Sequence, residues 1–220
     1  MDHPSVRNDW VYFVDADEWV SSELASEITE VVRSTCYPGS PAAYSQRFRM
    51  VFLGTWIRHS GWYGGRITRL VDRRRSRWDV TGVYVDRVIV DGPVGTLRHD
   101  LVDQDLKGLA SWMSKHVQYA NLEASRRLAL TGSNRRRVMS RPSSMPLVRA
   151  IAKEVIFPRV PCKPLALFIY MFLVRAGWRE GRVGLTFCLL HAWHEHNVGR
   201  LVFARSRGLD PGPRLTGRGG

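Results

Sequence analysis

The stretch WVYFVDADEW at residues 10–19 places three acidic side chains directly behind a run of strand-forming residues. Val, Tyr and Phe favour a pleated strand that is at least half buried, whereas acidic residues are poor strand formers. The sequence therefore predicts a strand over residues 10–14, which ends where Asp15, Asp17 and Glu18 meet solvent.

The spacing of the two aspartates gives them a common direction. Side chains alternate between the two faces of an extended chain, so Asp15 and Asp17 are expected to point the same way and Glu18 elsewhere. Carboxylate oxygens suit Mg²⁺ or Mn²⁺, and such an ion completes its shell with water and substrate phosphates. The pattern predicts a divalent-cation site at Asp15 and Asp17; solvated loop acids at a strand end are the alternative.

The formal net charge of +13 is concentrated in the C-terminal part of the chain. Residues 1–134 carry 17 basic and 16 acidic side chains, whereas residues 135–220 carry 16 and 4. A basic block of this kind can attract nucleic acid, anionic lipid or a polyphosphate substrate, and charge alone does not choose among them. The three cysteines form no CxxC pair, which indicates neither a disulfide framework nor a zinc ribbon and favours a reducing cytoplasm.

Local patterns predict a mixed α/β segment followed by helices. Residues 21–34 read as an N-capped amphipathic helix, and residues 43–53 and 66–71 as extended segments. Residues 107–130 carry apolar side chains at helical spacing. The expected divisions are 1–131 for the α/β segment, 132–205 for a basic helical region and 206–220 for a disordered tail.

Two apolar runs in the basic region raise the question of whether the chain associates with a membrane. LALFIYMFLV at residues 165–174 has no charge, and VGLTFCLLHAW at residues 183–193 follows a segment rich in Arg. Each run is shorter than the roughly 20 apolar residues that a spanning helix needs. Short apolar helices bounded by Arg, Lys and Trp predict an interfacial pair on an anionic membrane surface. A helical hairpin buried in a soluble core is the alternative.

Several segments together resemble family 2 glycosyltransferases, in particular the bacterial branch related to lipopolysaccharide-core glucosyltransferases. WVYFVDADEWVSSELASEI resembles the DxD segment of that branch, FLGTWIRHSGWYGGRITRL its GWY segment, and RWDVTGVYVDRVIVDGPVGTLRHDLVDQDLKGL its DGPVG segment. The resemblance covers about residues 10–200, with the motifs in the same order. It implies the C-terminal part of a GT-A (Rossmann-like) glycosyltransferase fold, whose nucleotide-binding half is expected upstream of this sequence.

The resemblance also implies an activity and roles for particular residues. Such an inverting enzyme transfers a sugar from a nucleotide-sugar donor to a cell-envelope glycolipid or polysaccharide acceptor, at the inner face of the plasma membrane. Asp86 is the candidate catalytic base, in place of a glutamate whose side chain is one methylene longer. Arg66 and Arg69 are candidates for binding donor phosphates through their planar guanidinium groups. Trp62 and Tyr63 either stack on the acceptor sugar or fill the core.

Two other interpretations concern basic residues and histidines. A non-enzymatic basic module would bind nucleic acid through the RRR triplets at 73–75 and 135–137, but it has no need for an acidic DxD stretch. In HAWHEH, a helix would place His191 and His194 on one face and His196 off it, without the HExxH motif of a zinc enzyme. The glycosyltransferase interpretation expects no nucleic-acid partner.

Overall fold

The computed structural model describes residues 6–34, 39–78, 88–129 and 162–210. The chain divides into two compact units, Met1–Leu106 and Lys107–Gly220. In their described parts, the first unit is mixed α/β and the second is helical, so the predicted order of an α/β segment followed by helices is confirmed. The division falls before the helix that begins at Gly108, whereas the sequence pattern placed it after residue 131.

The first unit is built around a mixed sheet. Its strands are β1 Trp10–Tyr12, β2 Glu18–Trp19, β3 Ala43–Phe52, β4 Thr55–Trp56, β5 Arg66–Asp72, β6 Ser76–Trp78, β7 Val88–Val90, β8 Val94–Thr96 and β9 Leu101–Gln104. In the described residues, seven of these strands form one sheet in the order β1-β5-β3-β9-β2, with β4 and β8 also paired to β3. Strands β6 and β7 pair separately. The long strand β3 is therefore the centre to which most of the unit is attached.

Pairing on the sheet joins residues that are distant in sequence. Strand β3 runs antiparallel to β5 and parallel to β9, with Phe48 opposite Leu101. Strand β1 is antiparallel to β5, with Tyr12 opposite Leu70. The extended segments predicted around β3 and β5 are confirmed, but β1 ends at Tyr12, two residues earlier than its apolar run predicted. The residues after Tyr12 leave the strand before the first acid.

Helix α1, Ser22–Ser34, follows the predicted amphipathic pattern. The hydroxyl of Ser21 accepts a hydrogen bond from the amide of Leu24 at 3.3 Å, which satisfies one of the free donors at the start of the helix. Leu24 is fully buried. It packs in one cluster with the buried side chains of Tyr44, Leu70, Leu97 and Leu101. Burial of these side chains holds α1 against the sheet.

A buried carboxylate on α1 fixes the segment that leads into β9. Glu27 accepts hydrogen bonds from the backbone amides of Arg98 at 2.8 Å and His99 at 3.0 Å, and its other contacts are to their side chains. Burial opposes the charge of Glu27, but these hydrogen bonds outweigh it, so the pKa of Glu27 is lowered. The contact positions Asp100, which follows directly in the chain.

The described part of the second unit contains helices α2 Gly108–Ala129, α3 Lys163–Ile169 and α4 Gly181–Ser206. A π-helical turn, Tyr170–Val174, continues α3, and a 3-10 turn, Gly177–Glu180, precedes α4. Helices α2 and α4 pack through Ala120, Ala124 and Val198. Both terminal nitrogens of Arg127 on α2 donate to the carboxylate of Glu195 on α4, at 2.8 and 2.9 Å. The helices predicted over residues 107–130 and in both apolar runs are confirmed.

Helix α4 extends well beyond the second apolar run and ends within one residue of the predicted end of the basic helical region at 205. That run ends at residue 193, whereas the helix continues to Ser206. Near its end, Arg205 donates to the carbonyl of Asn121 at 2.8 Å and to its side-chain oxygen at 2.6 Å. Polar contacts with α2 therefore support the last part of α4, which lies outside the apolar run. Within the described ranges, no helix is both long enough and apolar enough to cross a membrane.

Candidate functional site

The acids that follow β1 lie in a tight turn between β1 and β2, and residues 15–18 are called the acidic turn below. The amide of Glu18 donates to the carbonyl of Asp15 at 3.0 Å, and the amide of Asp15 donates to Glu18 Oε2 at 2.9 Å. A turn brings its first and fourth residues together. The prediction that Glu18 points away from Asp15 is therefore wrong, because it assumed that the chain stays extended through residue 18.

Arg69 binds both ends of the acidic turn. Its Nη2 donates to Asp15 Oδ2 at 2.6 Å and to Glu18 Oε1 at 2.5 Å. The side chain of Glu18 is 7% exposed and that of Arg69 is 10% exposed, whereas that of Asp15 is 62% exposed. Burial opposes the charge of Arg69, but the two carboxylates outweigh it and raise its pKa. Arg69 is thus a buried cation that anchors an exposed acid.

A β-bulge accounts for the direction of Arg69. On the register of β3 and β5, Tyr44 pairs with Leu70 and Ser45 with Thr68, so the extra residue on β5 is Arg69. Bulges insert one residue into a strand and turn its side chain, and they are common near functional sites. The amide of Phe13 donates to the carbonyl of Arg69 at 2.9 Å. The bulge and this hydrogen bond fix the backbone of Arg69 next to the acidic turn.

Tyr12 on β1 and Gln46 on β3 border the same cluster from the two strands that flank β5. The side-chain amide of Gln46, which is fully buried, donates to the Tyr12 hydroxyl. Burial raises the pKa of Tyr12, and the charge of Glu18 raises it further while Gln46 and Arg69 lower it. Strands β1, β3 and β5 therefore each contribute one polar side chain to the base of the acidic turn. Tyr12 and Gln46 carry no signal in the sequence that separates them from ordinary strand residues.

The acidic turn fits a divalent cation only in part. Asp15 offers an exposed carboxylate and Asp17 lies two residues further in the same turn, whereas Glu18 is buried against Arg69. Among the described residues, no three His, Cys, Asp or Glu side chains are grouped as a complete cage would require. Mg²⁺ is commonly held by one or two carboxylates together with waters and substrate phosphates, and Asp15 and Asp17 match that donor set.

The remaining predicted site residues lie elsewhere in the first unit. Arg66 is exposed, and its Nη1 donates to the carbonyls of Ser45 and Leu97, both at 3.4 Å. The Trp62 ring meets Phe48 edge-on, with ring centroids 6.5 Å apart. Of the predicted site residues, the structure joins Asp15 to Arg69, a contact that was not predicted, while Tyr63 belongs to a different cluster. Asp86 lies outside the described residues.

The cluster that contains Tyr63 is centred on Asp100. The Tyr63 hydroxyl donates to Asp100 Oδ2 at 2.9 Å, Arg47 Nε donates to Oδ1 at 3.2 Å, and Arg49 Nη2 lies 3.7 Å from Oδ2. Burial and the hydrogen bond to Asp100 raise the pKa of Tyr63. Trp56 meets the Tyr63 ring edge-on at 5.1 Å. We call this group, with Arg58, the arginine cluster.

Sequence reasoning missed the arginine cluster apart from Tyr63. One signal was available, because Arg47 and Arg49 alternate on β3 and so share a face. The approach of Asp100 to Arg47 depends on the parallel pairing of β3 with β9, in which Phe48 is opposite Leu101. A pairing between segments fifty residues apart leaves no local mark in the sequence.

Two arginines of the first triplet that the nucleic-acid interpretation used are engaged within the fold. Arg74 donates to Asp72 Oδ2 at 2.9 Å and lies 3.0 Å from a carboxylate oxygen of Asp9. Arg75 donates to the carbonyl of Ser40 at 3.1 Å. The second triplet, at 135–137, lies outside the described residues. These internal contacts give the first triplet a structural role.

Three histidines meet in the second unit. The rings of His191 and His194 on α4 lie 6.1 and 5.6 Å from that of His116 on α2, whereas His196 is exposed. The predicted helix face is confirmed. Burial, together with the charges of His116 and His194, lowers the pKa of His191 to about 3. His191 is therefore neutral at physiological pH and packs as an aromatic side chain, edge-on against Trp112 and Phe187.

No protein-family model matches this chain, and no solved structure matches it. Functional inference therefore depends on the two clusters of the first unit and on the surface of the second.

Proposed function

We propose that this chain takes part in sugar transfer from a nucleoside-diphosphate sugar to a cell-envelope glycolipid or polysaccharide, as an inverting, family 2-like glycosyltransferase of GT-A type. The observation that carries the proposal is the acidic turn, in which Asp15 is exposed at a strand end and held by the buried Arg69. A bound Mg²⁺ or Mn²⁺ at Asp15 and Asp17 would neutralise charge on the departing diphosphate.

The contacts of Arg69 define its role in this proposal, whereas the role of Asp86 comes from the family resemblance. Arg69 is a positioning residue rather than a phosphate ligand, since its Nη2 is already shared by Asp15 and Glu18. In the transfer step, an acceptor hydroxyl oxygen attacks the anomeric carbon, the bond from that carbon to the diphosphate oxygen breaks, and Asp86 takes the hydroxyl proton. Fixing Asp15 in advance reduces the reorganisation needed when charge develops on the leaving group.

Calorimetry with Mn²⁺ and the nucleoside diphosphates UDP and GDP tests the proposal. Wild-type protein should bind a diphosphate more tightly with Mn²⁺ than without it, and the double variant Asp15→Ala, Asp17→Ala should lose that dependence. Asp91→Ala is the matched control, because Asp91 is an exposed aspartate in the loop between β7 and β8. Identical Mn²⁺-dependent binding by the wild type and the double variant would overturn the proposal.

We also propose that the second unit attaches the chain to the inner face of the plasma membrane. Four apolar side chains in the stretch from the start of α3 to the start of α4 are more than half exposed: Leu165, Leu173, Val174 and Trp178. Four basic side chains lie in the same stretch, with Glu180 as its one acid: Lys163, Arg175, Arg179 and Arg182. Apolar side chains bordered by basic ones suit the interface of an anionic bilayer.

Vesicle co-sedimentation tests the membrane proposal. Binding should be stronger to vesicles containing phosphatidylglycerol than to pure phosphatidylcholine, and high salt should weaken it without abolishing it, because apolar burial persists when charge is screened. Leu173→Ala with Trp178→Ala should weaken binding at both salt concentrations. Leu122→Ala on α2 is the control, since Leu122 is also half exposed. Equal binding to both vesicle types would contradict the proposal.

A further inference from the structure

The arginine cluster lies on one face of the β3–β4 hairpin. Arg47, Arg49 and Val51 alternate along β3 and so point to the same side. Val51 is directly opposite Trp56 on β4, and residues directly opposite each other share a face. The hairpin therefore presents two arginines beside one indole ring.

A third arginine joins this face from the end of the hairpin. The amide of Ile57 donates to the carbonyl of Met50 at 2.9 Å, and the amide of Arg58 donates back to the carbonyl of Trp56 at 3.0 Å, so the chain turns directly after β4 and keeps Arg58 close to Trp56. The guanidinium carbon of Arg49 lies 4.5 Å from the centre of the Trp56 ring, and that of Arg58 lies 5.5 Å from it. Like charges that lie close together repel each other, yet both cations are held beside one ring.

The charges within the cluster do not balance. Asp100 is the one carboxylate that contacts it among the described residues, against the guanidinium groups of Arg47, Arg49 and Arg58. Arg47 and Tyr63 make the short contacts to Asp100, and Arg49 is further away at 3.7 Å. Two positive charges therefore remain beside Trp56. Such a surface attracts an anion, which would also relieve the repulsion between Arg49 and Arg58.

One buried donor outside the guanidinium groups adds to the positive potential of this face. The indole Nε1 of Trp56 is buried and has no acceptor within the described part of the chain; the same holds for Arg49 Nε, whose charge is already counted with its guanidinium group. An unsatisfied N–H dipole contributes partial positive charge in the same sense as the guanidinium groups.

We infer that Arg49, Arg58 and Trp56 form a binding site for an acidic sugar, whose phosphate or carboxylate lies between the two guanidinium groups and whose ring lies against the indole. Planar guanidinium groups bind both kinds of oxyanion through paired hydrogen bonds. The identification of this ligand as the sugar acceptor rests on the proposed function. The anion site itself does not, because none of its residues belongs to the acidic turn.

Calorimetry with four soluble probes tests the inference in the absence of Mn²⁺ and nucleotide. The probes are glucose 6-phosphate, glucuronate, glucose and inorganic phosphate. Wild-type protein should bind glucose 6-phosphate or glucuronate more tightly than glucose, and the stronger of the two identifies the anionic group. Inorganic phosphate should bind more weakly than glucose 6-phosphate, because it lacks the ring that contacts Trp56.

Variants of Arg58 provide the decisive comparison. The Arg58 side chain is exposed and lies against Trp56, so its removal should leave the fold intact. Arg58→Ala should weaken binding of the acidic sugar by about tenfold, and Arg58→Lys should retain part of it. Arg77→Ala on β6 is the control, because Arg77 is an equally exposed arginine outside the cluster. Equal binding of glucose and the acidic sugars, or unchanged binding by Arg58→Ala, would overturn the inference.

The same measurements separate this inference from the proposed function. The double variant Asp15→Ala, Asp17→Ala should bind the acidic sugar as the wild type does. If the sugar binds but no Mn²⁺-dependent diphosphate binding is found, the anion site stands and the proposed function fails. If diphosphate binds with Mn²⁺ and the acidic sugar does not, the inference about Arg49, Arg58 and Trp56 fails alone.

Discussion

The acidic turn and the arginine cluster are opposite solutions to the placement of charge on one sheet. In the acidic turn, a single buried arginine is shared by two carboxylates, Asp15 and Glu18. In the arginine cluster, a single buried carboxylate, Asp100, is shared by two arginines and a tyrosine. Each cluster has a buried ion at its centre and partners that reach solvent.

The difference determines what each cluster attracts. An excess of carboxylates favours cations, and an excess of guanidinium groups favours phosphates or carboxylates. In both clusters the buried central ion is neutralised, so it supports the fold and orients its partners. The groups that reach solvent, Asp15 in the acidic turn and Arg49 and Arg58 in the arginine cluster, are the ones available to a ligand.

The largest effect is expected when the buried cation of the acidic turn is removed. Arg69→Ala leaves the carboxylate of Glu18 buried without its guanidinium partner, and breaking a buried ion pair on one side costs about 3 kcal/mol. Arg47→Ala should cost about 1 kcal/mol, because Arg47 is more exposed and Asp100 keeps Arg49 and Tyr63. Urea unfolding of both variants measures the two free energies.

A second substitution tests the reason for that loss. In Arg69→Ala, Glu18→Gln, no buried charge is left, so part of the lost free energy of unfolding should return. Arg77→Ala is the control for removing an arginine from the surface of the same unit and should change stability by less than about 0.5 kcal/mol. Equal losses of unfolding free energy for Arg69→Ala and Arg47→Ala would contradict the larger cost expected for removal of the more buried arginine.

Much of the secondary structure could be predicted from the sequence because the signals are local. The Ser cap and apolar spacing of α1, the long periodic pattern of α2 and the strand-forming runs of β3 and β5 are all present within single segments. The end of β1 was predicted two residues too late, and the second half of α4 was predicted only as part of the basic helical region 132–205, without a local signal of its own. Both depend on contacts made elsewhere, such as those of Arg205 with Asn121.

The candidate site could be predicted only as a set of residues. The acids behind an apolar run marked Asp15, and Arg69 was selected as a phosphate ligand, but their direct contact was not foreseen. The turn that brings Glu18 back to Asp15 and the bulge that directs Arg69 are features of backbone geometry and register. Neither has a distinctive residue such as glycine at the decisive position, so the sequence carries no clear sign of them.

The smallest expected effect concerns the two tyrosines, one beside each central ion. Burial raises the pKa of both Tyr12 and Tyr63 above the ordinary value of 10.0. For Tyr63, the hydrogen bond to Asp100 is the next cause and raises it further, whereas for Tyr12 the hydrogen bond from Gln46 lowers it. The carboxylate of the arginine cluster should therefore affect its tyrosine more strongly than that of the acidic turn does.

The sign of the effect on stability follows from these raised values. Between pH 10.0 and the folded-state pKa, the folded protein binds more protons than the unfolded chain, so the free energy of unfolding falls as pH rises. Asp100→Asn should lower the pKa of Tyr63 and reduce this alkaline loss by less than about 1 kcal/mol, and Glu18→Gln should change that of Tyr12 less. Difference titration of tyrosinate absorbance, with Tyr63→Phe and Tyr12→Phe to assign each signal, measures both shifts. A larger shift at Tyr12 would mean that the charge of Glu18 is less completely neutralised by Arg69 than the 2.5 Å contact indicates.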